Sequence, residues 1–250
     1  MSDAALYGLV GKNLEHSFSY AYFGKKFATE NINAEYINIE VDDMDELFDF
    51  INQNPGTKGL NVTIPYKEVI IPHLDNITPE AASIGAVNCI SFHDGLTTGH
   101  NTDVIGFKHN IEPLLKPNMK KAMILGTGGG AKAVAYVLQE LGITCTMVSS
   151  SEKGDSISYA DVSKEIIEEH LLIVNTTPLG MYPDVDSFPP ISYRALTGEH
   201  SLYDLIYNPT ETKFLKYGKH YGAATKNGLE MLELQAEASW EIWQHYKPMV

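Results

Sequence analysis

Three polar side chains, Asn61, Thr63 and Lys67, fall within NVTIPYK (residues 61–67), between Gly59-Leu60 and the apolar run Val69, Ile70 and Ile71. A buried strand reads as a near-continuous hydrophobic run, so an amide, a hydroxyl and an ammonium group here point to a strand end that faces a ligand. Amides and hydroxyls recognise the hydroxyls of a small polar molecule. A lysine, protonated at neutral pH, is a donor to an oxygen on which charge develops. The same residue types also serve plain ends, because Asn and Thr cap helices and Lys extends into solvent.

A second constellation lies mid-chain. AMILGTGGGAKAVAYVLQELGITCTMVS (residues 122–149) reads as strand, glycine turn, helix and strand, with Gly126, Gly128 and Ala131 fitting G-x-G-x-x-(G/A) in the context that motif requires. Gly126 suits the tight turn and Gly128 close backbone approach, while Gly129, Gly130 and Ala131 open a helix whose amides attract a pyrophosphate. At the end of the second strand, Ser149, Ser150, Ser151 and Lys153 lean toward the 2′-phosphate of NADP(H), and Glu152 would suit the ribose hydroxyl of NAD(H). No GxxxxGK[ST] occurs, which disfavours a P-loop nucleotidase.

Both stretches need elements to position them. ALYGLVG, a helical segment from Tyr20 to Asn31, AEYINIEV, a second from Asp43 to Asn52, and GLNVTIP alternate in the manner of parallel βαβ units, with Pro65 stopping the last strand. Ligand sites in such folds lie at the carboxyl ends of strands. A chain of 250 residues, 44% hydrophobic and 20% charged, suits one or two domains of an α/β fold. Near the end, Leu229, Leu232, Ala236, Trp240 and Trp243 form a helical stripe with Gln235 at its edge, the tryptophans read as packing residues.

Composition narrows the partners. Eighteen basic against 32 acidic residues give a net charge of −14, which argues against nucleic acid and requires local cations or amides to catch an anionic substrate. The nine histidines show no metal-binding spacing, so no metal is expected. Cys89 and Cys145 form no CxxC and read as buried, reduced thiols. No apolar run reaches the roughly 18 residues of a membrane span and the first residues lack signal-peptide character, so a cytoplasmic protein without a membrane partner is expected.

The strings HSFS (16–19), NVTIPYK, GAVNC (85–89), NTD (101–103) followed by Gly106, GTGGGA (126–131), NTTPLGM (175–181), DLIYNP (204–209) and NGLEMLELQA (227–236) occur in an order that resembles the shikimate dehydrogenase family across nearly the whole chain. The resemblance implies an N-terminal α/β substrate domain (1–102 and 228–250), completed by a returning C-terminal helix, and a Rossmann-type NADP-binding domain (103–227). It implies NADPH-dependent reduction of 3-dehydroshikimate to shikimate by a monomer or homodimer. Lys67 and Asp103 would then form the catalytic pair, whichever of them passes the proton. Ser17 and Ser19 would bind the substrate carboxylate with Tyr207 near it, and Asn61, Thr63, Asn88 and Gln235 the ring hydroxyls. Thr176, Leu205 and Gly228 would join the glycine turn and the serines around the cofactor.

The chain departs from the family pattern at Tyr20, where proline is usual, at Val104, where glycine is usual, and at Ser150, where a basic residue is expected. The stretch from Ser151 to His170 is also short for a full helix and turn. Two rival readings share the fold: a quinate or dual quinate/shikimate dehydrogenase, and a non-catalytic ligand sensor. A sensor would typically lose Lys67 or Asp103, and both are present. A Rossmann methyltransferase would fit the glycine turn and leave NVTIPYK unexplained.

Overall fold

Helix caps and turn residues cut the chain into short elements, seen in a computed structural model that describes residues 4–15, 17–150 and 154–245. The chain divides into two compact units, Met1–Thr102 with Glu233–Val250, and Asp103–Leu232.

The first unit holds six strands: β1 (Ala5–Gly11), β2 (Ala34–Glu40), β3 (Thr57–Val62), β4 (Asn76–Ile77), β5 (Cys89–His93) and β6 (Leu96–His100), in the order β2-β1-β3-β5-β6-β4. β1 runs parallel to β2 and β3, as the alternation of strands and helices suggests. β5, however, runs antiparallel to both β3 and β6. The departure has a local cause: Asp94 and Gly95 adopt φ of 48° and 80°, the two-residue turn that an Asp-Gly pair favours between antiparallel strands.

Three α-helices lie between these strands. α1 (Phe18–Glu30) starts two residues before the expected Tyr20, because Ser17 Oγ accepts from Tyr20 N at 3.1 Å and so caps it. Asp43 caps α2 (Met44–Gln53), whose first turn carries Asp45 and Glu46, favourable at the positive end of the helix dipole. Thr78 caps α3 (Pro79–Ile84) with proline in its first turn and Gly85 in the left-handed region after it. β3 stops at Val62, short of Pro65, because the backbone turns and Tyr66 N donates to Thr63 O at 2.9 Å. Thr63 and Lys67 thus stand on the turn that follows the strand.

In the second unit β7 (Lys121–Leu125), β8 (Thr144–Ser149), β9 (Ile157–Ser158), β10 (Leu172–Asn175), β11 (Ser201–Asp204) and β12 (Ala224–Lys226) form a sheet ordered β12-β11-β10-β7-β8-β9, parallel throughout. This is the 3-2-1-4-5-6 order of dinucleotide-binding domains read from the other edge. Its helices are α4 (Asp103–Ile111), α5 (Gly129–Glu140), α6 (Lys164–Glu169) and α7 (Lys213–His220). α6 has only six residues, so the excursion after β8 is short, yet β9 keeps the third strand in place. Met123, Leu125, Val148, Ile173, Leu202 and Phe214 fill the core. Cys145, expected to be buried, is half-buried, on a strand flanked outward only by the two-residue β9. Cys89 on β5 is fully buried.

The last helix, α8 (Leu229–His245), packs Ala236, Trp240 and Trp243 of its apolar stripe against the aromatic core and also buries a polar edge beside that stripe. Leu229 is 39% exposed, and Gln235, expected at the edge, is buried along with Ala236 and Ser239. The edge with Gln235 and Ser239 is buried because it meets polar partners, Thr102 and Asn61. From Glu233 on, α8 belongs to the first unit. Trp243 packs so tightly on β3 that a Cβ at Gly59 would lie 2.3 Å from its ring, and its Nε1 donates to Ile90 O at 3.0 Å. Trp240 and Trp243 join Tyr7, Phe23, Phe27 and Tyr36 in an aromatic core, with Phe23 and Tyr36 stacked at 4.6 Å. The tryptophans are packing residues, as the stripe implies.

Candidate active site

In the first unit three carboxamides converge on two hydroxyls. Asn61, at the end of β3, donates from Nδ2 to Ser239 Oγ at 2.9 Å and to Asn88 O at 3.3 Å, while its Oδ1 accepts from Tyr36 OH at 2.8 Å. Asn88, just before β5, accepts at Oδ1 from Thr102 N at 2.6 Å and donates from Nδ2 to Thr102 Oγ1 at 3.0 Å. Thr102 Oγ1 lies 3.1 Å from Ser239 Oγ and 3.4 Å from Gln235 Oε1. All of these residues are buried, Asn61 and Asn88 at 3% exposure and Thr102 and Ser239 at 0%. Buried polar groups hold only when each finds a partner, so this cluster is an ordered lattice with fixed donor and acceptor directions.

Ser19, in the first turn of α1, is buried and hydrogen-bonds Tyr36, whose phenol burial pushes well above its ordinary pKa. The Ser17 hydroxyl oxygen accepts from Tyr20 N, which leaves its O–H as the group it can give to an anion. The bond depends on the departure at residue 20, since proline would bring no N–H. Thr63 and Lys67 are half-buried on the turn after β3. That turn is held by Thr63 N donating to Val10 O at 2.9 Å and Val87 N donating to Lys67 O at 2.7 Å. Structure therefore links Ser19, Asn61, Asn88 and Gln235 through Tyr36, Thr102 and Ser239, and places Thr63 and Lys67 next along the same backbone.

The second unit holds the remaining candidates. Asp103 is the first residue of α4, buried at 6%, where a carboxylate is favoured by the helix dipole. Tyr207 follows β11, and partial burial raises its phenol pKa. Gly126 and Thr176 follow β7 and β10, the two strands between which the sheet order reverses. Gly126 has φ +115°, and a Cβ on it would lie 2.5 Å from Thr176 Oγ1. That hydroxyl is fixed by donating to Leu125 O at 2.7 Å.

Gly128 caps α5 without a side chain, is exposed, and has nothing within 4 Å of where a Cβ would sit, so the backbone amides at the start of α5 stand open to a phosphate. Gly129 and Gly130 form the first turn, with Leu205 3.3 Å from a Cβ at Gly130, and Ala131 is buried. Gly228 leaves no room for a side chain, since a Cβ there would lie 2.1 Å from Leu205 O. Ser149 ends β8 buried and Ser150 follows it exposed. Ser151 and Lys153, with Glu152, lie outside the described residues. Glycines where side chains would clash, beside an uncapped helix start at the sheet's reversal point, fit a dinucleotide.

Tyr36, Thr102 and Ser239 were not singled out by sequence reasoning. Thr102 sits inside the NTD string, and Ser239 is a polar residue seven positions beyond Leu232 on the helical stripe. A hydroxyl on a buried helical face was the available signal. Among the described residues no group of three or more His, Cys, Asp or Glu could hold a metal, and no helix is long and apolar enough to cross a membrane.

Residues 9–90 match the model of the shikimate dehydrogenase substrate binding domain. A shikimate dehydrogenase (NADP(+)) of Clostridium beijerinckii is 41% identical over 95% of this chain and 91% of its own. The crystal structure of shikimate 5-dehydrogenase from Thermus thermophilus in complex with NADP(H) and shikimate superposes with a TM-score of 0.85 at 28% identity, covering 98% of this chain and 95% of that one. A quinate dehydrogenase from Corynebacterium glutamicum in complex with NAD gives the same TM-score and identity over 99% and 96% of the two chains. With relatives this similar along nearly its full length, and with a Rossmann-ordered sheet joined to a substrate-binding domain, the chain belongs to the shikimate dehydrogenase family.

Proposed function

We propose that the protein is an NADP-dependent shikimate dehydrogenase that interconverts 3-dehydroshikimate and shikimate, with the first unit binding substrate and the second binding cofactor. The buried cluster of Asn61, Asn88, Thr102, Gln235 and Ser239 carries this reading, because it holds carboxamides and hydroxyls in fixed orientations, the group types that recognise a polyhydroxylated ring. Relatives named as NADP(+)-dependent shikimate dehydrogenases support it, and favour it over the quinate alternative.

In this reading Ser17 and Ser19 take the substrate carboxylate with Tyr207 near it, while Asn61, Thr63, Asn88 and Gln235 take hydroxyls. Bound nicotinamide supplies or accepts the hydride. Lys67 Nζ gives a proton to the ketone oxygen as negative charge grows there, and recovers it in the reverse direction. Asp103, the acidic member of the pair, accepts from a substrate hydroxyl. Gly126, Gly128, Gly129, Gly130 and Ala131 receive the pyrophosphate, with Thr176, Leu205 and Gly228 shaping the walls. Ser149, Ser150, Ser151 and Lys153 take the 2′-phosphate. The enzyme is a cytoplasmic monomer or homodimer.

Initial rates of shikimate and quinate oxidation, each with NADP and NAD, test the assignment. Turnover of shikimate with NADP is expected; a preference for quinate or NAD would reassign the pocket, and no turnover in any of the four would identify a sensor.

A further inference from the structure

We propose that Ser239 is a positioning residue for the substrate-binding carboxamides: its hydroxyl fixes which end of Asn61 is presented to substrate. The inference rests on the shikimate dehydrogenase reading. Ser239 is fully buried on α8, and its Oγ donates to Gln235 O at 2.9 Å. A carbonyl oxygen only accepts, so the single hydroxyl proton is committed there and Oγ is left as an acceptor. It takes Asn61 Nδ2 at 2.9 Å and has Thr102 Oγ1 at 3.1 Å.

The consequence falls on Asn61. Its second amide hydrogen goes to Asn88 O at 3.3 Å, and Tyr36 OH at 2.8 Å occupies one lone pair of Oδ1. Asn61 is clamped at both ends, by α8 on its nitrogen and β2 on its oxygen. What it retains for a ligand is the other lone pair of Oδ1. It therefore accepts from a hydroxyl and repels a carbonyl or carboxylate oxygen in the same place. Thr102 extends the effect. It accepts from Asn88 Nδ2 at 3.0 Å, and its own proton has Ser239 Oγ within reach, which ties the Asn88 carboxamide to the same helix residue.

The test uses the full-length enzyme and steady-state shikimate oxidation with NADP. Ser239→Ala should raise KM for shikimate about tenfold, with kcat within about threefold and KM for NADP within about twofold, the pattern of lost ground-state orientation. Ser239→Thr, whose Oγ1 can make the same bond back to residue 235, should restore KM to within about threefold of wild type. Tyr36→Phe, which releases the other end of the same carboxamide, should move the same parameter and provides a second route if Ser239→Ala fails to fold. Combined with Asn61→Ala, Ser239→Ala should add clearly less than it does alone, because the shared Asn61 contact is already gone and only the Thr102 contact remains to be lost.

An unchanged KM for shikimate in both Ser239→Ala and Tyr36→Phe, additive effects in the Asn61 pair, or an equal rise in KM for NADP would overturn the positioning role while leaving the enzyme's identity intact. A wild-type enzyme idle on shikimate would overturn the reading beneath it.

Discussion

Gly126 and Thr176 meet where the sheet order of the second unit reverses, so closely that a Cβ on the glycine would lie 2.5 Å from the threonine hydroxyl. The threonine cannot swing aside without giving up its 2.7 Å bond to Leu125 O, and the glycine's φ of +115° disfavours any side chain. Gly126→Ala is therefore expected to raise KM for NADP at least about tenfold and to lower stability by about 1–3 kcal/mol. Nucleotide titration and urea denaturation measure the two effects separately. An alanine variant with wild-type values in both would mean that the turn tolerates a side chain.

Lys67 gives the sharpest kinetic expectation. Lys67→Ala should cut kcat by about 10²- to 10⁴-fold, as for a lost general acid, with KM for shikimate changed much less. The contrast with Ser239→Ala is diagnostic, since chemistry should fail in one variant and orientation in the other. Turnover near wild type would remove Lys67 from the proton transfer.

Two buried groups set opposing pH dependences of stability. Asp204 on β11 accepts from Thr212 Oγ1 at 2.6 Å, Asn175 Nδ2 at 3.0 Å and Ile206 N at 3.1 Å, yet burial outweighs these donors and pushes its carboxyl up to about 6 from 3.8. Its folded value is raised, so its contribution is fully present below pH 3.8 and is lost as pH rises through about 6. Burial lowers His100 from 6.5 to about 4, so its contribution is present above pH 6.5 and lost as pH falls through about 4. Asp204→Asn should remove a fall of about 2–3 kcal/mol between these pH values. His100→Gln should remove a rise of similar size. Urea midpoints across pH 4–7 read both, and an unchanged slope in either variant would exclude that group as the source.

The thiols should be silent in the folded protein. Burial raises Cys89 to about 12 and Cys145 to about 11, which leaves very little thiolate at pH 8. A thiol reagent is expected to label both only after denaturation, with half-buried Cys145 reacting first in mild urea. Fast labelling of Cys89 in the native enzyme would mean that the sheet beneath α8 opens.

Much of this was legible before the structure because local chemistry and fold agreed. The glycine turn sits between two strand patterns, and Asp43 opens the second expected helix where a cap is needed, whereas α3 and its Thr78 cap were not foreseen. The β5–β6 hairpin was written in Asp94-Gly95, a short signal hidden by the surrounding strand-helix alternation. Gln235 and Ser239 were harder. A helix stripe predicts burial from hydrophobicity, and these residues are buried because Thr102 and Asn61, more than a hundred residues away in sequence, offer them hydrogen bonds. Such pairings are invisible to periodicity, which sees only one element at a time.

The long reach of α8 also has a meaning for the nascent chain. Asn61 finds Ser239 across 178 residues, and Ile90 O finds the Trp243 indole across 153, so the first unit to be synthesised is the last to be completed. Residues 103–232 hold their own six-stranded sheet and can close around it while the amides of the earlier unit still face water. A chain cut short before the final helix keeps every strand of the second unit's sheet but leaves Asn61 and Ile90 of the first unit without the partners that α8 brings.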